Sequence, residues 1–437
     1  MEKITLNKAP VRTSNNYGIN DITLELEIPM IKQFQNITMM CYDFDDVKVE
    51  NINLNEIKTD KVSSMMNLKG EYSSKSNSKE HNLDEINPNE VNSNEVNPNE
   101  VNPNEVNPNE VNSNEVNSNE VNSNEVNSNE VNSSEINSSE INSGEMSSRI
   151  GLNLQQNYGI KITIPKNTIV KSPIVLEFSF DEDNKTLVDN IKIKYEENSE
   201  ATFIIKYVSE SEDEQFHYLK NEVQMEKNSR GNILIANMLN DNSNSFIAYE
   251  NNLQENAKLS SINIELGAKY KISNYYTRLE GDRAENDVKN IYIGTNNDVI
   301  DINYNIDTIG KNTKCTILSE GAVDGKAKKH FKGTIDFKEG SKKSKGIENE
   351  NCMILSDEAE SKSLPMLLCH EEDVYGEHGV SSGKPSESKL FYIMTKGISY
   401  NEARMLMVKA GLNKIIREIK DEDLKEEVTK MIERKLS

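Results

Sequence analysis

A mainly β protein with a small α-helical C-terminal subdomain and a long low-complexity insertion is the fold class this sequence predicts, and three observations carry it. Short alternations of apolar and polar residues recur through residues 151–385 with no helical pattern between them. Residues 386–437 change to a period near 3.6. Residues 86–145 repeat with a period that fits neither element.

At the N-terminus, residues 1–60 are expected to form a short segment packed on the core. The opening, MEKITLNKAPVRT, has no apolar stretch of the kind a secretory signal needs. No run in the chain approaches the roughly 20 apolar residues that span a bilayer, so a cytoplasmic protein is expected. Four cysteines, Cys41, Cys315, Cys352 and Cys369, lie far apart without a C-x-x-C pair. That usage suits reduced thiols better than a disulfide framework or a zinc ribbon. The formal net charge of −23 argues against nucleic acid or an anionic membrane as the main partner, since both would repel the chain at long range.

From Ile86 to Glu145 the chain is 12 consecutive pentads of the form I/V-N-x-x-E, each with one Glu and no Lys or Arg. A period of five aligns the Val and Ile on no single face of a helix or strand, and one apolar residue in five cannot fill the interior of a pentapeptide solenoid. With its Asn, Ser and Pro content and its like charges, residues 61–150 are expected to be a disordered linker inserted in a folded scaffold. Closure entropy rises by only about 0.6 kcal/mol per doubling of loop length, which makes such an insertion tolerable.

Residues 151–385 are expected to form the β core. Ile160, Ile162 and Ile164 alternate with polar residues, as do Ile262, Ile264 and Leu266, then Ile291 and Ile293, then Ile300, Ile302, Tyr304 and Ile306. Period two with β-branched residues reads as half-buried strands, and Gly281, Gly294, Gly310 and Gly321 read as bends between them. Pattern alone leaves sandwich, barrel and β-helix open. In residues 386–437, Leu390, Phe391 and Met394 predict one apolar stripe, and Gly397 a left-handed cap ending that helix. Ser399 with Glu402 is a capping box, and Ala403, Leu406, Met407, Ala410, Ile415, Ile416 and Ile419 predict the buried side of a second helix. A third helix starts near Asp421 with Leu424, Val428, Met431 and Ile432 facing inward.

Little in the chain carries catalysis. There is no G-x-x-x-x-G-K-S/T loop, so no nucleotide is expected on this chain, and there is no G-x-S-x-G elbow, no H-E-x-x-H and no Cys/His pair of familiar spacing. A non-catalytic protein is expected. Asp298 with Asp301 could be offered as the acid/base pair of a β-helix glycosidase, but carboxylates two or three apart on a strand are usually just solvated. The pentads could also mark a repeat-bearing surface protein, against which the absent signal weighs.

The stretch Pro365 to Ser399 is the most specific. Its E-E-D-V run Glu371 to Val374, its His378-Gly379 pair, its small-residue turn Ser381 to Gly383 and its L-F-Y start Leu390 to Tyr392 resemble the C-terminal signature of the SufB/SufD family, scaffold subunits of SUF iron–sulfur cluster assembly. Phe331 to Phe337, Ser344 to Gly346 and Ile354 to Asp357 continue the resemblance in order, and Asn7 to Thr13 is similar to the opening of the smaller members. The resemblance implies a right-handed parallel β-helix core. It also implies two partners, a SufB-type subunit and the ABC-type ATPase SufC, the latter docked on the C-terminal helices at Leu406, Met407, Ala410 and Ile415.

Iron–sulfur clusters are held mainly by thiolates, with imidazole an occasional substitute, and the resemblance places a transient cluster at a subunit junction. His378 matches the family's H-G position and is the leading candidate ligand. Cys369 is the second, and Glu377 is expected to orient the imidazole or raise its pKa. Against these, a lone His beside an acidic turn is most often a surface residue, and a Cys after an apolar strand most often a core one. Cys352 and Cys315 are weaker candidates still. SufB-type chains carry a cysteine shortly after the ILSD-like segment and a Glu directly after the His, and here those positions are Ala359 and Gly379. The family's core His is replaced near Asn305. These departures favour the SufD type, with a SufB-type homodimeric scaffold carrying the nascent cluster as the alternative.

Overall fold

The computed structural model describes residues 2–5, 23–26, 29–41, 47–52, 150, 152 and 154–437. The pentad repeats, and the Asn7 to Thr13 patch, lie outside the described residues.

The sheets grow from a repeated module. Strands β1 (Glu2–Thr5) and β2 (Thr23–Leu26) form a separate antiparallel pair. Of the rest, β4 (Lys48–Asn51), β5 (Tyr158–Ile164), β7 (Thr186–Tyr195), β9 (Phe216–Met225), β11 (Asn244–Leu253), β13 (Tyr270–Leu279), β15 (Val299–Thr308), β17 (Lys328–Phe337) and β19 (Glu360–Cys369) make one sheet in that order. The other contains β3 (Ile37–Met40), β6 (Ile174–Phe180), β8 (Glu200–Ser209), β10 (Arg230–Met238), β12 (Lys258–Glu265), β14 (Glu285–Gly294), β16 (Lys314–Val323), β18 (Lys345–Ile354) and β20 (Tyr375–Gly383). Consecutive strands alternate between sheets, and from β5 onward every ladder is parallel, which is a β-solenoid of two strands per turn. At its start β3 and β4 pair antiparallel with β6 and β5.

The corners that follow most strands of the first sheet are built around a residue in the left-handed region, usually asparagine. Asn198, Asn228, Asn256 and Asn312 sit there at φ between 56 and 60°, with Arg283 and Lys343 in the equivalent places. Asparagine tolerates the left-handed region better than most L-residues. Its amide also stacks: Asn198 donates to Asn167 at 2.9 Å, Asn228 to Asn198 at 3.0 Å and Asn256 to Asn228 at 3.0 Å, and Arg283 Nε closes the series on Asn256 at 2.7 Å. The next residue points inward and is small, Ser199, Ser229, Ala257, Ala284, Thr313 or Ser344, all buried.

Between the sheets lies the main core. Ile160, Ile162 and Ile164 of β5, Leu176, Phe178 and Phe180 of β6, and Ile300, Ile302, Tyr304 and Ile306 of β15 all belong to it. Tyr249, Tyr275 and Tyr304 are register neighbours whose rings follow at 5.3 and 5.2 Å, a ladder running up the lumen. Of the strands expected to be half-buried, β12, β14 and β15 are buried on both faces over much of their length. Ile264, Leu266, Ile291 and Ile293 look outward and are covered by helices α2 (Tyr400–Ile416) and α3 (Glu422–Leu436), which follow α1 (Glu387–Met394). Lys289–Glu418 at 2.5 Å, Lys206–Glu427 at 2.8 Å, Lys414–Glu320 at 2.8 Å and Lys435–Asp241 tie the helices to the sheet.

Gly397, at φ 86°, ends α1, and the capping box of Ser399 and Glu402 opens α2. Two glycine readings change. Gly281 and Gly310 are corner residues, where a methyl would fall 2.0 and 2.3 Å from the backbone of the preceding turn. Gly294 and Gly321 instead lie within β14 and β16, and a methyl on Gly321 would meet the Tyr292 ring at 2.3 Å. Gly321 makes room for a ring and bends nothing.

Candidate functional site

The residues expected to carry function gather at the last turn, where β19 and β20 each have a neighbour on one side only among the described residues. In a parallel ladder register partners share a face, so the interior of β18 projects onto β20: Gly346, Glu348, Glu350 and Cys352 lie beneath Gly376, His378, Val380 and Ser382. On the facing sheet Phe331, Gly333, Ile335 and Phe337 lie beneath Ser363, Pro365, Leu367 and Cys369. Ser361 and Ser382 meet across the lumen, hydroxyl to hydroxyl at 3.1 Å. His378 and Cys369 therefore share the lumen-facing side of the open mouth, and both are exposed.

Glu377 is separated from His378. It lies on the opposite face of β20, above Ile347, and accepts a hydrogen bond from the Tyr375 hydroxyl at 2.9 Å. From there it does not reach the lumen-facing side that carries the imidazole. His370, next to Cys369, likewise turns away, its Nε2 lying 3.6 Å from Asp336. The other thiols are placed differently: Cys315 and Cys352 are buried, with burial pushing both thiols up, and Cys41 is half-buried. Cys369 is the exposed thiol among the four.

Sequence reasoning missed the floor of the mouth. Glu350 accepts from the Tyr292 hydroxyl at 2.6 Å, from Lys329 Nζ at 2.8 Å and from the Ser363 hydroxyl at 2.9 Å, while Lys329 also donates to Ser363 at 2.8 Å. Lys329 and Glu350 are both 0% exposed, so this is a fully desolvated ion pair whose carboxylate is hydrogen-bonded on both oxygens. Glu348, two residues away on the same face, is equally buried, yet neither of its oxygens has a hydrogen-bond partner. Burial, then the charge of Glu350, pushes its carboxyl up to about 8. The tyrosine ladder explains how it fits. In register above Tyr304 comes Gly333, and a methyl there would lie 1.7 Å from Glu348 Oε1, so the carboxyl occupies the room the next side chain of that column would take. The signal was present in Lys345 to Cys352, KGIENENC, whose Gly, Glu, Glu and Cys fall on one face at period two. Two glutamates in a strand read naturally as a solvated face.

On α2 the expected partner surface divides. Leu406 is 44% exposed, Met407 is half-buried and Ala410 is exposed, whereas Ile415 is 0% exposed and packs on the sheet with Val408, Leu412 and Ile416. Ile415 is core and presents nothing to a partner. The stripe read from the sequence merged two faces: positions 407, 410 and 414 follow one line of a 3.6-residue helix and 408, 412 and 415 another. On α1 only Leu390 is buried, and Phe391 is 70% exposed, with Tyr392 and Met394 also exposed. Asp298 and Asp301 are no acid/base pair, since Asp298 is held by Lys271 at 2.7 Å and Asp301 by Lys332 at 2.6 Å.

Among the described residues no three His, Cys, Asp or Glu side chains already converge as a metal cage. No helix there is long and apolar enough to cross a membrane. An end-open parallel β-solenoid with a helical layer on one sheet and a polar floor beneath its mouth defines the class. The family model described as SUF system FeS cluster assembly, SufBD core domain, matches residues 178–411, more than half of the chain, and the chain belongs to that family. It is 26% identical over 287 residues to the iron–sulfur cluster assembly protein SufD of Bacillus subtilis, covering 64% of each chain. It is 23% identical to SufD of Escherichia coli, covering 55% of this chain and 57% of that one, and 24% identical to the SufBD family protein ycf24 of Porphyra purpurea, covering 38% and 34%. The matched region thus spans less than two thirds of each of these relatives.

Proposed function

We propose that this chain is a SufD-type scaffold subunit that pairs end to end with a SufB-type subunit through β19 and β20, docks SufC on its C-terminal helices, and helps hold a transient iron–sulfur cluster at the junction. The observation that carries the reading is the open last turn, whose strand edges are unpaired among the described residues and frame a mouth lined by His378 and Cys369. Strand edges offer unpaired backbone N–H and C=O groups that another sheet can complete. Exposed Leu406, Ala410, Phe391, Tyr392 and Met394, with half-buried Met407, supply an apolar surface for the ATPase. Nucleotide-driven dimerisation of SufC would strain the junction and expose the mouth to iron and sulfide. Ala359 and Gly379, where SufB-type chains carry Cys and Glu, support the SufD type over the SufB type.

Co-expression with SufB-type and SufC chains tests the reading. The three should co-purify, Leu406→Asp should release SufC while the SufB-type chain stays bound, and His378→Ala should leave the complex assembled with impaired cluster formation. A chain that forms no complex with either partner refutes the assignment. Unchanged maturation of client enzymes by His378→Ala refutes the site.

A further inference from the structure

The least explained group in the described structure is Glu348. It is buried, both of its oxygens are without partners, and it lies one strand below the exposed imidazole of His378 in the same lumen-facing column. Its neighbour in charge, Glu350, is by contrast answered by Tyr292, Lys329 and Ser363. A buried carboxyl with no hydrogen-bond partner is held as the neutral acid, and a cation that displaces its proton would answer the carboxylate left behind. The local fold makes room for it, because Gly333 interrupts the column that Tyr249, Tyr275 and Tyr304 fill below.

We propose that Glu348 and His378 together form an intake site for a single divalent iron ion, with Glu348 as the deep ligand and His378 as the rim ligand. The inference rests on the scaffold reading above and deepens it by assigning the metal cargo to a carboxylate–imidazole pair within this chain. Adjacent strands lie about 4.8 Å apart, and ligand bonds to first-row divalent ions are about 2 Å, so side chains in register on neighbouring strands can meet on one ion between them. A mixed oxygen and nitrogen donor set suits Fe(II) and leaves positions open for sulfide or for donors from a second subunit. Lys329 does not compete for Glu348, since it is already bound to Glu350 and Ser363. Entry is through the last turn, whose strands lack an outer neighbour among the described residues.

The experiment is an anaerobic titration of the full-length chain with Co(II), followed by its visible absorption, and with Fe(II) by competition. Glu348→Gln and His378→Ala should each weaken Co(II) at least tenfold and reduce the absorption of the bound ion. Glu377→Gln, on the other face of β20, should bind within twofold of the native chain. Glu348→Asp, which keeps the charge but shortens the arm, should bind with intermediate affinity, and it serves if Glu348→Gln does not fold. Native affinity in Glu348→Gln and Glu348→Asp, or equal losses in Glu377→Gln and Glu348→Gln, would overturn the inference. Overturning it while the complex with the SufB-type chain still forms would leave the scaffold reading standing, whereas loss of that complex in the native chain would remove both.

Discussion

Replacing Glu348 by Gln should flatten part of the pH dependence of stability. The native carboxyl is held up to about 8 by burial and by the charge of Glu350, against about 4.5 in an unfolded chain. Between those values the unfolded chain has released its proton and the folded chain has kept it. The folded state thus binds more protons, and stability falls as pH rises through the window, levelling above about pH 8. A displacement of roughly 3.5 pH units at about 1.4 kcal/mol each amounts to about 4 to 5 kcal/mol. Glutamine has the same shape and no charge to remove. Urea unfolding of both chains from pH 5 to pH 9 should give curves within about 1 kcal/mol of each other at pH 5 and separated by about 4 to 5 kcal/mol at pH 9, the variant being the more stable. Glu265, raised to about 7, and Lys271, lowered to about 8, titrate in the same range but in both chains, so the difference isolates Glu348. Parallel curves would refute the claim that this carboxyl is buried without a partner.

Other substitutions probe the same end of the molecule. Gly321→Ala pushes a methyl to 2.3 Å from the Tyr292 ring, whose hydroxyl is pinned to Glu350, and should cost about 1 to 3 kcal/mol in urea unfolding; adding Tyr292→Leu should show favourable coupling between the two sites, and simple additivity would exclude the clash. Lys329→Met leaves Glu350 with neutral donors alone and should cost about 3 to 5 kcal/mol in urea unfolding, part of which adding Glu350→Gln should recover; simple additivity of the two would show that packing rather than charge dominates. Ile415→Asp should abolish cooperative thermal unfolding while Leu406→Asp leaves the melting temperature within about 2 °C, and similar effects from both would contradict the two-faced helix.

Much of this architecture is legible in the chain because its parts are local. Alternation at Ile160, Ile162 and Ile164, the left-handed cap at Gly397 and the capping box at Ser399 each need only a few neighbouring residues, and each appears as expected. What the sequence hides depends on contacts far along the chain. A strand such as β14 looks half-polar yet is buried on both sides over its second half, because α2 and α3 cover the outer face of its sheet. Ile415 and Leu406 look alike until the sheet beneath α2 selects one face. The placement of His378 on a lumen-facing side follows from the motif together with strand alternation. The carboxylate beneath it does not, since Glu348 and Gly333 meet only when two sheets are folded against each other.

The unfinished border at β19 and β20 also bears on how partners are told apart. Backbone groups at a strand edge are the same in every protein, so any strand of suitable spacing could complete the sheet, including one from a second copy of the chain. Discrimination then falls to the side chains that come into register across the seam. At this seam they include an imidazole, a thiol and a proline, a pattern that a matching partner must answer position by position.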